Sequence, residues 1–260
     1  MADFVALRRS RNAFSSLLHI IMNAALAVSS IYITWSTGSP LIGILLVILS
    51  KWRMLAVRPR YWELNIKSNL VDLIVGNSII LIAYCSGRAF LPIHVILMVI
   101  YSIWLIIIKP RSTEHAANLQ SFIAIFLGTT STVLMTASAN SIFMAITGFI
   151  LGYAGARHIL VQGEDKDYNV IIMAGAIISA EICWLCHSWL IVYSFADTGI
   201  IIPQLSIIMA IVSFIFGYAY KSISRNEGKL KWSEIGMPTA FAIITIAVIV
   251  IFFSQPIFNV

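Results

Sequence analysis

Residues 51–69 read KWRMLAVRPRYWELNIKSN and separate two apolar runs. This stretch holds five of the 17 Lys and Arg residues of the chain: Lys51, Arg53, Arg58, Arg60 and Lys67. The first two of these charges come before the preceding apolar run has ended. Where the basic residues lie relative to the apolar runs therefore decides how the chain is arranged, although the stretch contains no motif that declares an activity.

The composition is that of a membrane protein. Of the 260 residues, 60% are hydrophobic and 11% are charged, and the mean hydropathy is +0.93. Soluble domains carry about 25% charged residues. The apolar runs are close to the roughly 20 residues that a transmembrane helix needs, and none alternates as a barrel strand does. Because lipid cannot satisfy unpaired backbone groups, we predict an all-α, polytopic integral membrane bundle.

Nine apolar segments predict about nine transmembrane helices in a single domain, 1–260, arranged as four hairpins plus one. Their ranges are 14–35, 38–57, 66–86, 90–108, 117–137, 141–160, 169–194, 199–220 and 235–254. The first segment follows a basic N-terminus and is interpreted as an uncleaved signal anchor. No stretch outside these segments reaches 25 residues. Any chemistry is therefore expected within the membrane or at its faces.

The distribution of Lys and Arg predicts the orientation. With nine spans, 16 of the 17 fall on one side, and only Arg88 falls on the other. The positive-inside rule then places the N-terminus in the cytoplasm and the C-terminus outside. We expect a protein of the cytoplasmic (inner or plasma) membrane that meets anionic lipid at its cytoplasmic face. Nucleic acid is not an expected partner, because no basic face is free of the membrane.

Segment three carries a polar stripe on one predicted helix face: Asn65, Asn69, Asp72 and Gly76. Asp72 lies about 9 Å past the start of its span, and Lys51 about 9 Å from the inner end of the neighbouring span. An unpaired charge at that depth costs at least about 2–3 kcal/mol. We therefore predict that Asp72 pairs with Lys51 or Arg53. The pair is either a structural link between hairpins or part of an ion relay or an anionic head-group site.

Glu181 lies near the middle of segment seven, with Trp184 and Ser188 on its helix face. A carboxylate at mid-bilayer is either protonated or paired. It could carry protons, as intramembrane carboxylates of transporters do, or form a hydrogen bond across a helix interface. Glu181 is the strongest single candidate for a functional residue, with His187 nearby on the outer side.

Cys183, Cys186 and His187 spell C-x-x-C-H, the attachment pattern of haem c. Here the pattern lies within a continuous apolar segment, so we predict no haem. A metal site is not expected either, because Glu181 points to another face of the predicted helix. We therefore expect no cofactor.

Residues 142–154 match residues 207–219 at nine of thirteen positions, with an offset of 65. A parallel repeat of this kind occurs in some transporters. The alternative is that two apolar helices draw on the same small set of residues.

The intramembrane carboxylates, the repeat and the short loops favour a small transporter or permease-like protein. One alternative is a non-catalytic membrane subunit or scaffold that binds a membrane partner. The other is an intramembrane enzyme acting on a lipid or isoprenoid phosphate, which the lack of a paired-acid or metal motif disfavours. A transporter requires one cavity lined by Glu181 and Asp72, a scaffold requires an apolar outer groove, and an enzyme requires a lateral opening beside Lys51, Arg53 and Arg58.

Overall fold

The computed structural model describes residues 2–87, 91–136, 140–160, 168–188, 191–195, 200–226 and 228–253, with backbone alone for 2–14, 168 and 195. This part of the chain is helical apart from one short hairpin. The helices are α1 (Ala2–Thr37), α2 (Leu41–Leu49), α3 (Trp62–Ser68), α4 (Leu70–Cys85), α5 (Leu91–Ile103), α6 (Glu114–Thr136), α7 (Ser141–Leu160), α8 (Tyr168–His187), α9 (Gln204–Arg225) and α10 (Trp232–Phe252). Arg88 and Lys166, which the charge count used, lie outside the described residues.

Seven helices are long and apolar enough to cross a membrane: α1 from Ser15, α5 extended by the π-helical turn Trp104–Ile108, α6, α7, α8, α9 and α10. A bent pair, Pro59–Ser68 with Leu70–Cys85, would make eight. α2 has nine residues, about 14 Å of helix, so the predicted count of nine is not reached by helix length and composition. The difference arises because residues after Ser50 leave the α-helix, and a 3₁₀ turn, Trp52–Met54, carries exposed side chains instead.

The prediction of one continuous helix over 66–86 is wrong. Asn69, with φ −104° and ψ 6°, lies between α3 and α4, which meet at 62°. Its side-chain amide and its backbone N–H both donate to the carbonyl of Asn65, at 2.9 Å and 3.2 Å, which closes the end of α3. Asn65 and Asp72 therefore lie on different helix axes, and the predicted polar stripe is not one continuous face.

Segments seven and eight are also shorter than predicted at their outer ends. α8 ends at His187, and an antiparallel hairpin follows with β1 (Val192–Phe195) and β2 (Ile200–Pro203). The β-branched run before Pro203 favours a strand, and α9 begins only after that proline. As a result, Glu181 lies about 9 Å from the end of its helix rather than at the middle of a longer one.

α2 and α4 pack antiparallel in a register that small residues permit. A Cβ on Gly43 would lie 2.9 Å from Ile80, and a Cβ on Gly76 would lie 2.7 Å from Val47. Lys51, four residues after Val47, contacts Asp72, four residues before Gly76. The two glycines let the helices approach closely enough for this third contact to form.

α7 and α8 pack at a second close contact. A Cβ on Gly152 would lie 2.5 Å from the Cβ of Ser179 and 2.8 Å from the carbonyl oxygen of Gly175. We expect Gly152→Ala to lower the free energy of unfolding in detergent by about 1–3 kcal/mol, because the backbones must move apart. Ile146→Val, on the exposed face of α7, serves as the control and should change it little. Equal losses in the two variants would contradict this packing.

Candidate functional site

Asp72 is the centre of a buried polar cluster. Its Oδ2 contacts the ammonium group of Lys51 and, at 2.7 Å, that of Lys109, and its Oδ1 accepts a hydrogen bond of 2.9 Å from the indole N–H of Trp104. Asp72 and Lys51 are each 7% exposed. The predicted pair of Asp72 with Lys51 is confirmed. Arg53, the alternative partner, is exposed and has no ion pair within the described residues.

The helix ends explain why these residue types meet here. Asp72 lies in the first turn of α4, where the positive end of the helix dipole stabilises a carboxylate. Lys51 follows the end of α2, and Lys109 follows the π-helical turn that extends α5. The negative ends of those two helices stabilise cations. Three helix termini and three charged side chains therefore complement one another in one place.

A second set of hydrogen bonds joins this cluster to α6 and α7. The side-chain amide of Gln120 donates to the carbonyl oxygens of Ile108 at 2.7 Å and Arg111 at 2.9 Å. Its Oε1 lies 2.7 Å from Nε2 of His158. Because the amide hydrogens are used on carbonyls, Oε1 accepts from His158, which assigns the proton to Nε2. The ends of α5 and α7 and the start of α6 are thus held together.

Sequence reasoning missed Trp104, Lys109, Gln120 and His158. The depth argument that paired Lys51 with Asp72 could have found Lys109, because it follows segment four at the same side of the membrane. Trp104 and Gln120 carry no comparable signal, since a tryptophan or a glutamine near a helix end is common.

A buried tyrosine packs one helical turn along α4 from Asp72, over Gly76. Tyr101 is fully buried, and its hydroxyl has no hydrogen-bond partner within the described residues. A Cβ on Gly76 would lie 2.7 Å from that hydroxyl, so the tyrosine packs directly over the glycine. Both oxygens of Asp72 are occupied by donors, and none of the four cavities described in the structure is lined by Asp72. In this geometry the carboxylate of Asp72 links α4 to the segments that carry Lys51, Trp104 and Lys109.

Glu181 lies elsewhere, on the exposed face of α8. None of those four cavities is lined by it. The single cavity shared by Glu181 and Asp72 that a transporter requires is therefore not present among them. Asn69 lies at the break between α3 and α4, away from any of these cavities.

The C-x-x-C-H residues lie in the last two turns of α8. Cys183 is buried and packs against Gly148 of α7, whereas Cys186 and His187 are half-buried. His187 Nδ1 is buried without a hydrogen-bond partner in the described part of the chain. Over the same residues, no group of three or more His, Cys, Asp or Glu side chains is placed to hold a metal ion.

Two larger grooves lie between helices. One, of about 290 Å³, runs between α6 and α9 and has both apolar and polar lining. The other, also of about 290 Å³, lies between α7, α8 and α9 and is almost entirely apolar. An apolar outer groove is what a scaffold was expected to present.

Comparisons with known proteins do not add an assignment: no protein family model, curated protein or solved structure matches this chain.

Removing the carboxylate of Asp72 should destabilise the bundle strongly. We expect Asp72→Asn to lower the free energy of unfolding by about 3–5 kcal/mol, because the buried ammonium of Lys51 loses its counter-charge. The measurement is reversible unfolding in mixed detergent micelles. Glu63→Gln, which breaks the exposed pair of Glu63 with Lys67, is the matched control and should leave stability unchanged. Similar losses of unfolding free energy in both variants would contradict a stabilising role of the cluster.

Lys51 should be dispensable once Asp72 is neutral. In the Asp72→Asn background, we expect Lys51→Met to raise the stability again, because it removes a trapped charge. Unfolding titrations of the single and double variants measure this recovery. Arg53→Gln in the same background should bring no recovery, since Arg53 is exposed. A double variant less stable than Asp72→Asn alone would contradict the claim that the unpaired ammonium of Lys51 destabilises that variant.

Proposed function

We propose that this protein is a non-catalytic membrane subunit or scaffold that binds a partner helix within the bilayer through α8. The observation that supports this is the exposed position of Glu181 within a helix long and apolar enough to span a membrane. On insertion scales a charged side chain facing lipid costs about 2.5–3.5 kcal/mol at the centre of a span, and Glu181, about 9 Å from the end of α8, still lies within the span. A partner that covers Glu181 would remove much of this penalty.

The surroundings of Glu181 fit a helix interface. Ile177, Trp184 and Leu185 are 48%, 53% and 61% exposed, and Ser188 is exposed one turn beyond Trp184. With Glu181, they form one stripe at the spacing of a helix face. Polar side chains within such stripes hold transmembrane helices together by hydrogen bonds. The expected partner is therefore a transmembrane helix with a basic, amide or hydroxyl side chain at the depth of Glu181.

The competing functions lack such support. Transport required a cavity shared by Glu181 and Asp72, and the described cavities contain neither. A lipid enzyme required an opening beside Lys51, Arg53 and Arg58, and none of these residues lines a described cavity either.

The glycine shared by the two similar stretches contacts different helices in each. At the corresponding positions, Gly152 packs against Ser179 of α8, whereas Gly217 packs against Asn118 of α6. The two helices therefore use their common glycine against helices that do not correspond. This difference in contacts favours a chance similarity between two apolar helices over a duplicated transport unit.

The proposal includes the orientation of the bundle in the membrane. The charge distribution supports a cytoplasmic N-terminus in the cytoplasmic membrane. Lys51, Asp72, Lys109 and Gln120 then belong to the cytoplasmic side of the bundle, and the β1–β2 hairpin belongs to the outer side.

Site-specific photo-cross-linking in intact cells tests the partner. With a photoreactive residue at Trp184, we expect a protein adduct of discrete size whose yield falls about five- to thirtyfold in Glu181→Leu. An interhelical hydrogen bond worth about 1–2 kcal/mol predicts a change of this size. Met173→Leu, about two turns from Glu181 on the same face of α8, is a conservative control that keeps the apolar surface and should leave the yield unchanged. An adduct that is insensitive to Glu181→Leu, or cross-links to lipid alone, would overturn the proposal.

A flux measurement tests the transporter alternative. The purified protein in liposomes should show no proton flux that depends on Glu181. A flux that Glu181→Gln abolishes would establish transport and remove the scaffold proposal.

A further inference from the structure

The groove between α6 and α9, here called the α6–α9 groove, follows two antiparallel helices. The hydroxyl of Thr130 donates to that of Ser206 at 2.9 Å near one end. Twelve residues earlier on α6, Asn118 lies beside Gly217, where a Cβ would be 3.3 Å from the amide oxygen. The groove opens at the end where α6 begins and α9 finishes, which is the end that carries Lys221 and Arg225.

The lining changes from apolar to basic along the groove. Its deeper half is formed by Leu119, Phe122 and Phe214. Its other end is formed by His115, Tyr218 and Lys221, and a smaller cavity of about 80 Å³ continues from Lys221 to Ser224 and Arg225. Phe214 and Lys221 are seven residues apart, so the apolar half lies about 10 Å below the basic end.

The polar groups at the basic end are available to a ligand. Lys221 is half-buried and forms no ion pair within the described residues. Asn118 lines both cavities, and its side chain makes no hydrogen bond in the same part of the chain. Glu114 is the one carboxylate of the lining. It is exposed and does not pair with Lys221, so the end of the groove keeps a net positive charge.

We propose that the α6–α9 groove binds one anionic phospholipid, with its phosphate at Lys221 and Asn118 and one acyl chain against Phe122 and Phe214. The change from polar to apolar lining over about 10 Å corresponds to the passage from the head-group region into the hydrocarbon core. The volume of about 290 Å³ is at the small end of ligand sites. It therefore accommodates the upper part of one chain, while the rest of the lipid stays in the bilayer.

Two features separate this site from a general attraction of lipids to basic loops. The charged end is continuous with an apolar groove, so a free phosphate would leave most of the lining uncovered. Lys229 and Lys231 are exposed in the loop after α9 and line neither cavity. They can attract anionic lipids to the membrane surface, but they are not part of the groove.

Native mass spectrometry of the full-length protein tests the proposal. Detergent-solubilised protein is titrated with phosphatidylglycerol, phosphatidylcholine of the same chain length, or glycerol phosphate. We expect one tightly bound phosphatidylglycerol, with an affinity about tenfold above that for phosphatidylcholine, because phosphatidylcholine offers the same phosphate but also brings the positive charge of its choline group to the basic end of the groove. Glycerol phosphate should not compete at concentrations where the lipid saturates the site.

Variants assign the effect to the groove. Lys221→Gln should lower the affinity for phosphatidylglycerol about tenfold, Lys221→Arg should retain it, and the control Lys229→Gln should have no effect. Phe122→Ala tests the apolar half and should weaken both lipids. Unchanged thermal midpoints would show that the variants are folded. Equal binding of the two lipids, equal effects of Lys221→Gln and Lys229→Gln, or competition by glycerol phosphate at the concentration of the lipid would each overturn the proposal.

Discussion

The arrangement of the first half of the chain depends on the carboxylate of Asp72. It binds the ammonium groups of Lys51 and Lys109 and the indole of Trp104, which belong to different segments of the sequence. A carboxylate at this depth is costly unless it is paired, so the helices that supply its partners are fixed relative to α4. The glycine contacts between α2 and α4 then set the same register independently, because Gly43 and Gly76 align with the ion pair.

Two sets of polar groups among the described residues have different roles. Those around Asp72 and Gln120 are paired with one another and with helix ends, which stabilises the interior. Glu181 on α8 and Lys221 on α9 lack such partners within the described residues and lie on exposed or open surfaces. The first set explains how the bundle is held together. The second set supports the proposals for a partner helix and a lipid.

Part of this arrangement could be predicted from the sequence, because depth in a membrane can be counted along a helix. Counting placed Lys51 opposite Asp72 correctly. It failed where the helix was not continuous, as at Asn69, and where a strand replaced the end of a predicted helix after His187. Which side of a helix faces its neighbours also depends on packing between helices, and the local sequence does not encode it. For that reason the sequence did not decide whether Glu181 lines a cavity or lies at a helix interface, and the structure places it on the exposed face of α8.

A charge-exchange experiment tests the central claim, that the Lys51–Asp72 contact fixes the bundle, most directly. The fraction of folded, monodisperse protein extracted from membranes is measured for Lys51→Asp, for Asp72→Lys and for the variant with both changes. The account predicts that each single change depletes the folded fraction and that the double change restores only part of it, because the pair is re-formed with its charges exchanged while Lys109 and the indole N–H of Trp104 then face an ammonium group. Single variants that fold as well as the parent, or a double variant no better than the singles, would contradict it.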